Sequence, residues 1–165
     1  MKMGTDQRGM TLVETLLAAG IATMIAGVLG SCVFLFMRVT EQGNDQLRAQ
    51  HDVQNTGYWL AWDGERAETT AVDGYAGDMT LILDWTDDGQ DHTVTYYRSG
   101  TGGINLQRDD DNGTVITGKI VARYVSSVDF SISNGLITAT ITCSPGGRWE
   151  ASKTETYKIW PRPTV

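Results

Sequence analysis

From Thr15 to Met37 the chain runs 23 residues without a charge, bounded by Glu14 and Arg38. About 20 predominantly apolar residues suffice for a helix to cross the hydrocarbon of a bilayer, so the run is long enough to span one. It exceeds the roughly 7–15 residues of a signal-peptide apolar core, and no small-x-small cleavage site follows it. Beyond Arg38 the polarity rises while a helical repeat persists. Val39, Gly43, Leu47, Gln50, Val53, Gly57, Leu60, Ala61, Gly64 and Ala67 recur at steps of three or four, a stripe of small and apolar residues suited to lying on a sheet. A helix from Met10 to about Glu68 would be roughly 88 Å long at 1.5 Å per residue. That is too long for a domain of this size, so its N-terminal half is expected to project into lipid or other subunits.

After Gly74 the repeat shortens to two. Met79 to Trp85, Thr93 to Arg98, Gly103 to Arg108, Val128 to Ser133, Leu136 to Thr142 and Glu155 to Trp160 alternate or run apolar, with β-branched and aromatic residues enriched, and read as strands. Asn134-Gly135 between two of them predicts a type I′ hairpin. Asp87-Asp88-Gly89 and Asp109 to Gly113 read as longer turns, and Pro161 and Pro163 close the last strand. The pattern predicts an α+β fold in which the C-terminal half of a long helix packs on an antiparallel sheet. The 165 residues hold the apolar segment and one domain of about a hundred residues, with no need of a second.

Charge adds an asymmetry. Lys2 and Arg8 outweigh Asp6 in the first nine residues, and the remainder is net -8. Basic residues ahead of the apolar run favour a cytoplasmic N-terminus and an exported C-terminus. The acidic remainder is a poor surface for nucleic acid. Cys32 lies in the apolar run and Cys143 far from it, so no internal disulfide is expected.

The residues offer little for catalysis. His51 and His92 have no cysteine near them, which argues against zinc, and no serine sits in a G-x-S-x-G elbow; the chain is not expected to be an enzyme, and no cofactor is expected. The acidic turns Asp87, Asp88, Asp91 and Asp109, Asp110, Asp111 contain the oxygen ligands that Ca²⁺ favours, but without the spacing of a known calcium loop. Tyr58, Trp59 and Trp62 cluster near the predicted helix end, where packing on the sheet is the favoured reading over a ligand platform. Gly20, Gly27 and Gly30 are spaced so that helices could approach closely.

Glu14 is the anomaly. A carboxylate near the middle of a bilayer costs roughly 2.5–3.5 kcal/mol on insertion scales, so it calls for a partner or a wet interface. Arg8-Gly9-Met10-Thr11-Leu12-Val13-Glu14 and the apolar run behind it resemble the class III signal of type IV pilins and type II secretion pseudopilins. The resemblance implies that a membrane prepilin peptidase cuts between Gly9 and Met10 and methylates the new amine of Met10. It gives Glu14 a partner, the Met10 amine of the same or a neighbouring subunit, and so a role in assembly register. Met10 in place of the commoner Phe, and a span without proline, are closer to a pseudopilin or minor pilin than to an abundant filament subunit. Tyr58-Trp59-Leu60-Ala61-Trp62-Asp63, Leu81-Ile82-Leu83-Asp84, Val94-Thr95-Tyr96-Tyr97, Ile104 to Arg108 and Val121 to Val125 look further like J-type minor pseudopilins and W-type minor pilins.

That resemblance implies a leader at 1–9, a transmembrane and assembly segment at 10–37, an amphipathic helix half with linker at 38–73 and a β-rich pilin domain at 74–165. It implies a single-pass protein of the cytoplasmic membrane with its C-terminal domain exported, then incorporated into a pilus or pseudopilus. Expected partners are the prepilin peptidase, other major and minor pilins or pseudopilins, and the inner-membrane assembly platform. Two alternatives stay open. One is a pilus-tip binding or adhesion module; the other is a lipoprotein, since Leu29-Gly30-Ser31-Cys32 resembles a lipobox cut and lipidated at Cys32.

Overall fold

A computed structural model of the protein describes residues 11–146 and 151–162. One helix, α1 (Leu12–Gly64), precedes eight strands: β1 (Thr69–Tyr75), β2 (Asp78–Asp87), β3 (Gln90–Ser99), β4 (Asn105–Asp111), β5 (Ile116–Arg123), β6 (Val125–Ser133), β7 (Leu136–Cys143) and β8 (Lys153–Ile159). The strands form one sheet in the order β5-β4-β3-β2-β6-β7-β8, with β1 also on β2. Pairing is antiparallel throughout except where β6 meets β2 at Asp78↔Val128. The architecture is α+β, a helix packed on a mostly antiparallel sheet. Two compact units divide the chain between Glu41 and Gln42.

In the unit from Gln42 onward the core forms where alternating strand residues meet one helix face. Leu81, Leu83, Val94, Tyr96, Leu106, Val128, Phe130, Ile137 and Ile141 close over Ala49, Val53 and Leu60. Small residues set the helix-to-sheet distance. A Cβ on Gly57 would run into the Tyr157 ring, and one on Gly64 would lie 2.7 Å from Ile159 Cγ2. The Tyr157 hydroxyl donates to the Val53 carbonyl at 3.0 Å across the same junction.

The buried face differs from the predicted stripe. It comprises Asp45, Ala49, Val53, Thr56, Gly57, Leu60, Asp63 and Gly64, whereas Val39, Leu47 and Gln50 are exposed. Two of its polar residues are held by partners: Thr56 Oγ1 donates to the Asp52 carbonyl at 3.0 Å, and Asp63 is held by the sheet. The helix also ends at Gly64, short of Glu68, because the Glu68 N–H turns to the Asp84 carbonyl at 2.8 Å and starts β1.

β1 and β5 were not expected as strands. Both are largely exposed: β1 alternates only between exposed and half-buried positions, and β5 shows no inward and outward alternation at all. Asn134 and Gly135 have φ of 52° and 77° between Ser133 and Leu136, as a type I′ hairpin requires. Asp88 and Gly89, φ 48° and 77°, form a two-residue turn between Asp87 and Gln90, tighter than the longer loop expected there. Asp109, Asp110 and Asp111 lie within β4 and not in a turn.

Candidate functional site

Thr11 stands just before α1. Its carbonyl accepts the Glu14 and Thr15 N–H groups at 3.0 and 3.1 Å, and its Oγ1 lies 3.4 Å from the Glu14 nitrogen. These are the bonds of an N-cap, and Thr11-Leu12-Val13-Glu14 has the spacing of a capping box. The Thr-x-x-Glu spacing of this cap is present in the sequence. Glu14 thus occupies the first helical turn, where the positive end of the helix dipole favours a carboxylate. The cap uses its backbone N–H and leaves the side chain exposed. Gly9 and Met10 lie outside the described residues.

From Thr11 to Gln42 every residue is exposed. Leu12, Val13, Leu16, Leu17, Met24, Val28, Leu29, Phe34 and Phe36 are each at least 60% exposed, so this stretch of helix presents apolar surface on every side. Ser and Thr within it return their hydroxyls to the backbone. Thr23 Oγ1 donates to the Gly20 carbonyl at 2.8 Å and Ser31 Oγ to the Gly27 carbonyl at 2.9 Å, which removes the cost of a free hydroxyl in an apolar medium. By length and hydropathy this helix is able to cross a membrane. A Cβ on Gly20, Gly27 or Gly30 would meet nothing within 4 Å. Cys32 is exposed midway along the run, Cys143 is buried in β7, and both are free thiols.

The far end of the helix carries a polar assembly that local sequence spacing did not reveal. Asp63, fully buried, accepts from Arg108 Nε at 2.6 Å through Oδ2 and from Nη2 at 2.8 Å through Oδ1. Tyr96 donates its hydroxyl to the same carboxylate. Arg108 Nη2 reaches on to Asp110 Oδ2 at 3.1 Å, and Asp110 Oδ1 meets His92 Nδ1 at 3.0 Å. The His92 ring stacks on Trp85 with centroids 5.4 Å apart. Burial, reinforced by Asp63, pushes the Tyr96 hydroxyl far above its ordinary range. Burial works against the Arg108 charge, but the bonds and charge of Asp63 outweigh it and its pKa is raised. A bidentate pair, extended through Nη2 to Asp110, locks α1 to β3 and β4.

Trp59 packs on the core with Lys119 Nζ 4.1 Å from its ring centroid. Tyr58, 61% exposed, makes an edge contact with Trp59 and stacks on Trp62 at 6.5 Å. The aromatic cluster therefore divides, with Trp59 against the sheet and Tyr58 and Trp62 outward. The acidic residues offered for calcium are dispersed: Asp109 holds Tyr97 and Gln107 at 2.7 Å each, Asp91 accepts from Thr86, and Asp111 accepts the Gly113 N–H. Among the described residues no group of three or more His, Cys, Asp or Glu is arranged to hold a metal.

No protein family, no curated protein and no solved structure matches this chain.

Proposed function

We propose that the chain is a minor pilin or pseudopilin: made as a prepilin, cut after Gly9, methylated at Met10, anchored by Thr11 to Met37 in the cytoplasmic membrane, and drawn by that helix into a filament. Its work is mechanical, priming or capping assembly with other minor subunits. The observation that carries this reading is the uncharged helical run, exposed on every side, with a carboxylate in its first turn. So large an apolar surface is unstable in water and needs lipid or neighbouring helices to cover it. Cutting after Gly9 would create an amine four residues before Glu14, the opposite charge that a carboxylate in such surroundings requires. The same run, with its small residues Gly20, Gly27 and Gly30, suits a move from lipid into a bundle of identical or similar helices.

One mass spectrum tests the processing. In a host with the peptidase the mature chain should begin at methylated Met10, and Gly9→Val should remain full length. A chain beginning at diacylated Cys32, or normal cleavage of Gly9→Val, overturns the reading. Glu14→Ala keeps the backbone N–H that the cap uses, so it should be cut normally and fail to enter filaments. Incorporation at the normal level would remove the proposed charge pairing.

A further inference from the structure

A cleft of about 620 Å³ opens between α1 and the β5–β6 junction, lined from the helix by Arg48, His51 and Asp52 and from the sheet by Arg123 and Tyr124. Its walls are fixed. Asn55 Nδ2 donates to the Val121 carbonyl at 2.6 Å, and the Arg123 N–H donates to Asp52 Oδ2 at 3.3 Å. Tyr124 has φ of 55°, a left-handed conformation rarely held by a bulky side chain. The bonds around it enforce the strain, since its carbonyl accepts the Ser144 N–H at 2.7 Å and the Val125 N–H reaches the Ile104 carbonyl at 2.9 Å. Strained non-glycine backbone held in this way is concentrated at binding sites. Tyr124 remains 41% exposed.

The charges in the cleft are unusual for this molecule. In a chain of net charge -7, two guanidinium groups face one carboxylate here. That carboxylate is already engaged by the Arg123 N–H and by His51 Nδ1 at 3.7 Å. Among the described residues neither the Arg48 nor the Arg123 side chain has a partner, in contrast to Arg98, Arg108 and Arg66, each of which is bonded within the fold. Arginine presents a rigid fork of donors that matches a carboxylate, and an exposed aromatic face beside it adds contact area at low entropic cost. The net acidity of the chain does not forbid an acidic visitor, because charges more than about 8 Å away are largely screened at physiological salt.

We infer that this cleft is a docking site for a short acidic segment of a partner protein, whose carboxylates bridge Arg48 and Arg123 against the Tyr124 ring. The site lies wholly within the unit from Gln42 onward and does not depend on how the N-terminus is processed.

The test uses the full chain in neutral detergent, titrated with a capped hexaglutamate peptide while amide and Tyr124 ring shifts are followed by NMR. Hexaglutamate should perturb Tyr124, Arg123 and His51, and its affinity should weaken as salt rises. Arg48→Gln or Arg123→Gln should each lower the affinity at least fivefold and together abolish it, with unfolding midpoints unchanged because neither side chain is bonded within the fold. Tyr124→Gly, which relieves the left-handed strain, should keep the fold and weaken binding. Any of three results overturns the proposal: no binding of hexaglutamate, equal binding of hexalysine, or undiminished binding by the double variant. Inorganic phosphate competing as well as the peptide at equal charge also overturns it, since that marks a site for small anions.

Discussion

Residues 12–41 and 42–64 belong to one continuous helix, yet they solve opposite burial problems. The first stretch is apolar on all sides and exposed on all sides; the second is mostly polar and buries eight residues, two of them aspartates. The way apolar residues are distributed around the helix therefore decides where each part is covered. A helix hydrophobic all round must find its surroundings outside the chain, in lipid or in other helices. A helix with a narrow stripe of Ala, Val and Gly finds them in its own sheet, and that stripe can include Asp63 because Arg108 and Tyr96 await it.

The largest effects should come from breaking the second stretch where it is polar. Asp63→Ala removes the bidentate, fully buried partner of Arg108 and leaves it only the half-buried Asp110; breaking a buried pair in this way typically costs about 3–5 kcal/mol. Urea denaturation of the full chain in detergent should show it as a lowered midpoint. Combining Asp63→Ala with Arg108→Met removes the stranded charge and should recover part of the loss. A double variant as unstable as the single would mean that packing at this junction matters more than charge.

Glycine sharpens the contrast. At Gly57 a Cβ must displace the Tyr157 ring and the hydroxyl bond to Val53, so Gly57→Ala should cost about 1–3 kcal/mol despite alanine's better helix propensity. At Gly30 the added methyl meets nothing within 4 Å among the described residues, and Gly30→Ala should leave the unfolding of the sheet unit within about 0.5 kcal/mol of the parent. If Gly30→Ala destabilised the sheet unit as much as Gly57→Ala, the two stretches would not be separate energetically.

Much of this fold could be read from periodicity. The uncharged run, the α+β order and the Asn134-Gly135 hairpin follow from local spacing, because length, period two and a turn that needs positive φ are all written in neighbouring residues. Thr11 as a cap was equally local, and its Thr-x-x-Glu spacing was available. The Asp63 assembly was not, because its partner lies 45 positions away and a carboxylate near a helix end ordinarily reads as solvated. β5 escaped for another reason. Its first five residues are exposed on both faces and carry no burial pattern, and its end, Arg123, becomes informative only when the fold sets it across from Arg48. Gly9 and Met10 depend on a motif alone, so their test is chemical.

The two cysteines, Cys32 in the first stretch and Cys143 in the sheet that covers the second, yield the smallest effect and the finest resolution. Burial, with Asp52 adding to it, pushes the Cys143 thiol up to about 12 from its usual 9. An unfolded chain therefore ionises this thiol first. Between those values the unfolded state binds fewer protons than the folded one, so the stability contributed by the neutral thiol is intact below about pH 9 and declines as pH rises toward 12, by at most about 1.4 kcal/mol per pH unit. Denaturation at pH 9 and pH 10 should resolve the slope before the tyrosines add theirs, and Cys143→Ala should flatten it. N-ethylmaleimide, apolar enough to enter a detergent micelle, should label exposed Cys32 at once and Cys143 only on unfolding. Rapid native labelling of Cys143 would mean that β7 opens locally, and the sheet side of the comparison would then be less tightly closed than its burial indicates.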